Sequence, residues 1–216
     1  MTESSVVLRR YTDLASLLDM LQRRAITLLS PSSWDDRNDR LMMETYREFG
    51  KLKTLLALCL TSTGETYHHW KVFTHASNGV CIQFHRAKFI RTMQEAGVEV
   101  KEMSYLKFDQ LVADEIPARE LPFIKRLAFR HEGEVRALYE STRAENAKTV
   151  EFDISIISKI TLNPWLPAPV ADSVINIIQG LVGHWRGRVM QSQLIESPTW
   201  KDFAAKYERP ELATRS

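Results

Sequence analysis

Residues 123–140, FIKRLAFRHEGEVRALYE, hold the reading on which the fold turns. A basic and aromatic run (Lys125, Arg126, Phe129, Arg130, His131) leads into Glu132-Gly133-Glu134. Apolar and polar residues then alternate through Val135, Arg136, Ala137, Leu138, Tyr139 and Glu140. A period of two is the mark of a strand. It places Glu132, Glu134 and Arg136 on one face, with Val135, Ala137 and Tyr139 on the other. Two acids and one arginine over an apolar back are either a reactive row or a solvated strand face whose charges pair across strands.

Working outward, Thr54–Thr61 (TLLALCLT) is short and almost wholly apolar, the pattern of a central strand covered on both faces. Val80–Phe84 follows the Asn78-Gly79 turn and alternates, with Val80, Ile82 and Phe84 on one side and Cys81 and Gln83 on the other. Leu14, Leu17, Leu18 and Leu21 repeat at helical spacing behind a capping Thr12 or Asp13, predicting a helix over 13–24. Further helices are predicted over 41–50 (ending at Gly50), 65–75, 87–96 (closed by Gly97) and 168–182. Shorter strands are predicted over 25–29, 98–105, 150–154, 158–162 and 188–195. The loop Pro31–Arg40 (PSSWDDRNDR) surrounds one tryptophan with Asp35, Asp36 and Asp39, acids that build their own turns or hold a cation. Strands and helices interleave without a βαβ rhythm. The prediction is therefore one α+β domain over residues 1–208, with a mixed or largely antiparallel sheet and flanking helices, and a frayed tail over 209–216.

Lys and Arg number 29 against 27 Asp and Glu, a formal net charge of +2 in 216 residues. Such balance carries no global polyanion-binding signature, so nucleic-acid contact would need a local patch. Lys125, Arg126 and Arg130 are the candidates. Cys59 and Cys81 both lie in apolar runs and are expected to be buried, reduced thiols. The first residues lack the features of a signal peptide, and no apolar run approaches the ~20 residues of a membrane span, so a cytoplasmic protein is expected.

GxxxxGK[ST], GxGxxG, HExxH and GxSxG are all missing from the sequence. His68 and His69 are adjacent and would point about 100° apart on a helix, and no ligand spacing marks a metal site, so no metal is expected. Three patches remain: Arg9-Arg10-Tyr11; Thr61-Ser62-Thr63 followed by His69 and Trp70; and Glu132-x-Glu134. Arginine binds phosphate bidentately, an aromatic stacks on a base or nicotinamide, and a strand glutamate holds a ribose hydroxyl and steadies an oxocarbenium cation. The order Arg, Ser/Thr, Glu-x-Glu is similar to the pattern of arginine-type ADP-ribosyltransferases. On that reading NAD is the substrate and Arg10 holds phosphate. Tyr11 and Trp70 line the pocket, Ser62, His69 and Arg136 contact the ligand, and Glu134 is catalytic with Glu132 assisting. The plainer reading makes Tyr67 and Trp70 core aromatics and the arginines surface charge. A second function is a non-catalytic module binding nucleic acid or a protein partner through Lys125–His131. A third is a pseudoenzyme that keeps the fold without the chemistry.

Several segments together resemble an uncharacterised bacterial domain-of-unknown-function family, number 2971 in its series. They are RYTDLASLLDMLQRRAITLLSPSSWDDRND, LCLTSTGETYHHWKVFTHASNGVCIQF and LPFIKRLAFRHEGEVRALYE, extended by ITLNPWLP. Members often carry Asn-Asp-Pro where this chain has Asn38-Asp39-Arg40, and tyrosine where His75 stands. The resemblance implies a small bacterial cytosolic α+β protein, with some relatives in phage-defence or toxin–antitoxin systems. It brings no established activity.

Overall fold

The computed structural model describes residues 6–74, 76–113 and 116–207. The predicted tail 209–216 and His75 lie outside them. In chain order the elements are β1 (Val7–Asp13), α1 (Leu14–Arg23), β2 (Ala25–Leu28), α2 (Arg37–Phe49), β3 (Thr54–Thr61), α3 (Tyr67–Phe73), β4 (Gly79–His85), α4 (Arg86–Glu95), β5 (Glu99–Glu102), β6 (Ser104–Leu106), α5 (Phe108–Ala113), β7 (Ile124–Arg126), β8 (Glu134–Ser141), β9 (Lys148–Glu151), β10 (Ile157–Leu162), α6 (Ala168–Val182), β11 (Arg188–Gln191) and α7 (Pro198–Ala205). Seven strands form one sheet in the order β11-β10-β4-β1-β3-β8-β5. Within this sheet, among the described residues, only the β10–β11 pair is parallel. The α+β reading with a largely antiparallel sheet is borne out.

Strand alternation divides the sheet into two faces. Leu8, Leu56, Leu58, Leu60, Val80, Ile82, Phe84, Val135, Ala137, Ile160 and Leu162 point to one side. There they meet Leu17 and Leu21 of α1, Phe89 and Met93 of α4, and Val174 and Ile178 of α6. Burial of this apolar area is the main favourable term in folding. On the other side Leu55, Ala57 and Leu138 meet Met43 of α2, Met103 and Phe123 in a smaller core. β3 is thus covered on both faces as predicted, with one exception: Cys59 is exposed.

Several boundaries differ from the sequence reading. α2 starts at Arg37, inside the predicted polar loop, because the Asp36 carboxylate accepts from the amides of Asn38 and Asp39. Gly50 is not in a left-handed conformation; Lys51 takes it instead, with φ of 51°. Glu132 is not in β8. It ends a 3-10 segment, Leu127–Glu132, and Gly133 turns the chain into the strand. Gly133 has φ of +51°, and a Cβ there would lie 2.3 Å from the Thr63 methyl, so only glycine fits without strain. Among the described residues, no helix is long and apolar enough to cross a membrane.

Candidate functional site

β1 pairs with β4 over its whole length but with β3 only at Arg9–Thr61. Beyond that pair the β3 edge is taken at Ala57 by Leu29, through backbone bonds of 2.9 and 3.3 Å. Between Thr61 and Ala57 the sheet therefore opens. A cleft of about 590 Å³ lies at the opening, within the range of small-molecule sites. Arg9, Arg10 and Tyr11 line it from β1, Cys59 and Thr61 from β3, Trp34, Asp36 and Asp39 from the loop and helix after β2, Phe73 from α3, and Lys125, Phe129, Glu132 and Glu134 from the stretch running from β7 to the start of β8. Because backbone polar groups of an antiparallel strand alternate sides, Cys59 turns its N–H and C=O toward this opening, as Ala57 does toward Leu29.

The acid side of the cleft is a buried ion network. Arg136 is wholly buried. Its Nη1 and Nη2 donate to Asp39 at 2.9 and 2.6 Å, its Nε donates to Glu134 at 2.9 Å, and Nη1 also donates to the Pro122 carbonyl at 2.7 Å. The Trp34 ring lies over the guanidinium at 4.6 Å. Lys125 Nζ donates to Glu132 at 2.7 Å and to Glu134 at 3.1 Å, with Asp39 at 3.8 Å. The Glu134 backbone N–H donates to the Tyr105 hydroxyl at 2.8 Å. Three carboxylates thus face two cations, leaving the group with excess negative charge.

The two glutamates differ in their proton affinity. Burial alone would raise Glu134, but the charges of Arg136 and Lys125 outweigh it and hold the carboxyl below its usual range. Burial raises Glu132, and its bond to Lys125 does not fully offset that. Burial would lower Lys125, yet Glu134 and Glu132 keep it firmly protonated. Burial pushes the Cys59 thiol well up, and the Glu134 charge adds to the effect, so it is a weak nucleophile. Protein atoms surround Cys59 densely, but its surface is open to the cleft, and open surface decides what a ligand can touch.

Arg10 stands apart from that network. Arg10 is among the residues that line the cleft, on the face of β1 that carries Leu8, and among the described residues its guanidinium makes no hydrogen bond or ion pair. Burial lowers its pKa, against weak support from Cys59 and Asp13. Neighbouring Arg9 is occupied, donating to the Thr63 carbonyl at 2.6 Å.

Of the predicted site residues, Arg10, Tyr11, Glu132 and Glu134 line the cleft, while Ser62, His69, Trp70 and Arg136 do not. Trp70 is 1% exposed and does not line the cleft; it packs edge-on behind Tyr11 at 5.1 Å, with its indole N–H donated to Glu65. His69 is buried, stacked on Tyr11 at 5.2 Å and held by Thr63 and Thr66; burial lowers its pKa, so it is a neutral support and not a ligand contact. Ser62 faces away from the cleft lining and donates to the Gly133 carbonyl at 3.1 Å, while Thr61 donates to the Glu132 carbonyl at 2.6 Å. These hydroxyls fix the turn that carries both glutamates. Arg136 has its donors committed to Asp39, Glu134 and Pro122 and positions carboxylates instead of touching a ligand. The glutamates and Arg136 are not a solvated face; all three are buried. Lys125 is no free phosphate contact, because the carboxylates hold it, which leaves Arg126 and the exposed Arg130 of the basic run. Asp39 and Trp34, read in the sequence only as a turn or cation acid and as the tryptophan of a polar loop, also line the cleft. Among the described residues, no three His, Cys, Asp or Glu side chains converge to hold a metal ion.

No family model matches the chain, and no curated protein does. Among solved structures it is similar to DarT of Thermus sp. 2.9. In complex with NAD+, the identity is 10%, covering 89% of this chain and 98% of that one, with a TM-score of 0.44. In complex with ADP-ribosylated ssDNA, it is 11%, covering 88% and 95%, with a TM-score of 0.45. At that distance the likeness carries no chemistry across, and the site is read from its own residues.

Proposed function

We propose that the cleft at the β1–β3 opening takes a dinucleotide of the NAD type and that the chain transfers ADP-ribose from it. One observation carries the reading. An arginine without a charged partner, Arg10, and an ionised, rigidly held carboxylate, Glu134, both line one cleft, Arg10 from the sheet face that carries Leu8 and Glu134 from the other. A desolvated cation without a counter-ion is costly, and a phosphate offsets that cost through charge-assisted bonds. Glu134 already accepts from Arg136 and Lys125, but a carboxylate offers about four lone-pair sites, so it can still accept from a ribose hydroxyl.

As the bond from the ribose carbon C1′ to nicotinamide breaks, its electron pair leaves with the nicotinamide and positive charge grows on the ribose. A fixed negative carboxylate favours that state. The acceptor's nucleophilic atom then bonds to C1′ and loses its proton. Glu132, whose proton affinity burial raises, is suited to take it. The backbone N–H and C=O of Cys59 match the acceptor and donor of a carboxamide, and Trp34 and Phe129 offer ring surface. On the quoted segments we also place the chain in the domain-of-unknown-function family 2971. The test is nicotinamide release from NAD+ by the wild type and by Glu134→Gln. Release by the wild type that falls at least a hundredfold in the variant supports the reading; equal rates in both remove it.

A further inference from the structure

His68 of α3 and His131 of the 3-10 segment Leu127–Glu132 are both exposed and aim the same ring atom at each other. Their Nε2 atoms are 2.9 Å apart, with ring centroids 4.5 Å apart and planes at 76°. A bond between two imidazoles at the surface replaces bonds to water and gains little. Two Nε2 atoms converging on one point are also what a metal ion asks of histidine. With metal–nitrogen distances of about 2.05 Å, a 2.9 Å separation corresponds to an angle of about 90° at the ion, an octahedral edge. Opening the pair by about 0.4 Å gives the tetrahedral angle that zinc prefers.

We propose that His68 and His131 form a two-histidine site for a divalent transition metal of the imidazole-preferring kind, nickel or zinc. Water fills the remaining positions, since no third metal-ligating side chain converges there among the described residues. The two histidines come from two segments that both contribute residues to the cleft lining. Val72 and Phe73, on the helix that carries His68, line the cleft, as do Phe129 and Glu132, on the segment that carries His131. A bound ion would tie these two segments together. The site stands whether or not the cleft takes a nucleotide.

The test uses untagged protein stripped with a chelator and then titrated calorimetrically with NiCl2 or ZnCl2. The expected result is about one equivalent bound, with a rise in melting temperature, because an ion that binds only the folded state stabilises it by mass action. His68→Ala and His131→Ala should each weaken binding at least tenfold, while His184→Ala, at an unrelated exposed position, leaves it unchanged. Both tested residues are exposed, so folding is retained, and circular dichroism verifies it. No binding up to millimolar metal, or equal binding by the wild type and both histidine variants, overturns the site.

Discussion

Arg136 on β8 and Asp39 on α2 form a bidentate pair across 97 residues of chain, at 2.9 and 2.6 Å. This pair ties α2 to the sheet and, through Arg136, fixes the Glu134 carboxylate from behind. The cleft's acid side is rigid for that reason before any ligand arrives.

Breaking the pair removes two charge-assisted hydrogen bonds from Arg136, which keeps Glu134 as its remaining acid partner. Asp39→Asn keeps the shape and removes the charge. It is expected to cost about 1–3 kcal/mol of stability, the lost bonds to Arg136 being partly offset because burial and the nearby Glu134 already disfavour the Asp39 charge. Urea unfolding followed by circular dichroism measures this. A loss below about 1 kcal/mol would show that Glu134 alone satisfies Arg136.

Gly133 is the hinge that brings Glu132 and Glu134 to the same wall. Gly133→Ala puts a side chain into left-handed backbone, at about 1–2 kcal/mol, and drives its Cβ against Thr63. We expect at least about 2 kcal/mol of destabilisation in the same urea measurement, and Thr63→Ser in the same chain should recover part of it.

The two glutamates give stability opposite dependences on pH. Glu134 is depressed in the folded state, so its contribution is fully present above the ordinary carboxylate value of about 4.3 and is lost as pH falls through its lower folded value. Glu132 is raised, so the folded state favours its protonated form; that contribution is present at low pH and fades as pH rises through the raised value. Melting temperature against pH should therefore show a shallower acid limb in Glu134→Gln, the other lowered carboxylates such as Asp13 and Asp36 keeping the rest of it, and flatten just above the ordinary carboxylate range in Glu132→Gln. Identical profiles for the wild type and both variants would contradict these assignments.

Much of the fold was legible. β3, β4 and α6 follow from apolar periodicity, which the core enforces on any sequence that buries one face or two. α7 was not anticipated, because none of its residues is buried and no pattern marks it. In the site, Arg10, Tyr11 and Glu134 were legible as residue types suited to a nucleotide. Lys125 was misread as a free basic charge, since sequence shows a charge but not the carboxylates that fold against it. Asp39 and Arg136 are linked only in space. Trp34 was visible as a lone aromatic in a polar loop, with nothing to show that the loop folds over Arg136. Trp70 shows the reverse: an aromatic chosen for the pocket proved to be the packing behind it.

The central claim is that Arg10 and Glu134 serve one ligand, and titration of NAD+ into the wild type, Arg10→Met and Glu134→Gln tests it most directly, with nicotinamide release measured on the same samples. The account predicts wild-type binding that weakens at least tenfold in Arg10→Met, about 1.4 kcal/mol, without loss of melting temperature, because methionine removes an unpaired charge and keeps the stem. It predicts that Glu134→Gln still binds NAD+ and releases no nicotinamide above background. Binding unchanged in Arg10→Met together with wild-type release by Glu134→Gln would contradict it.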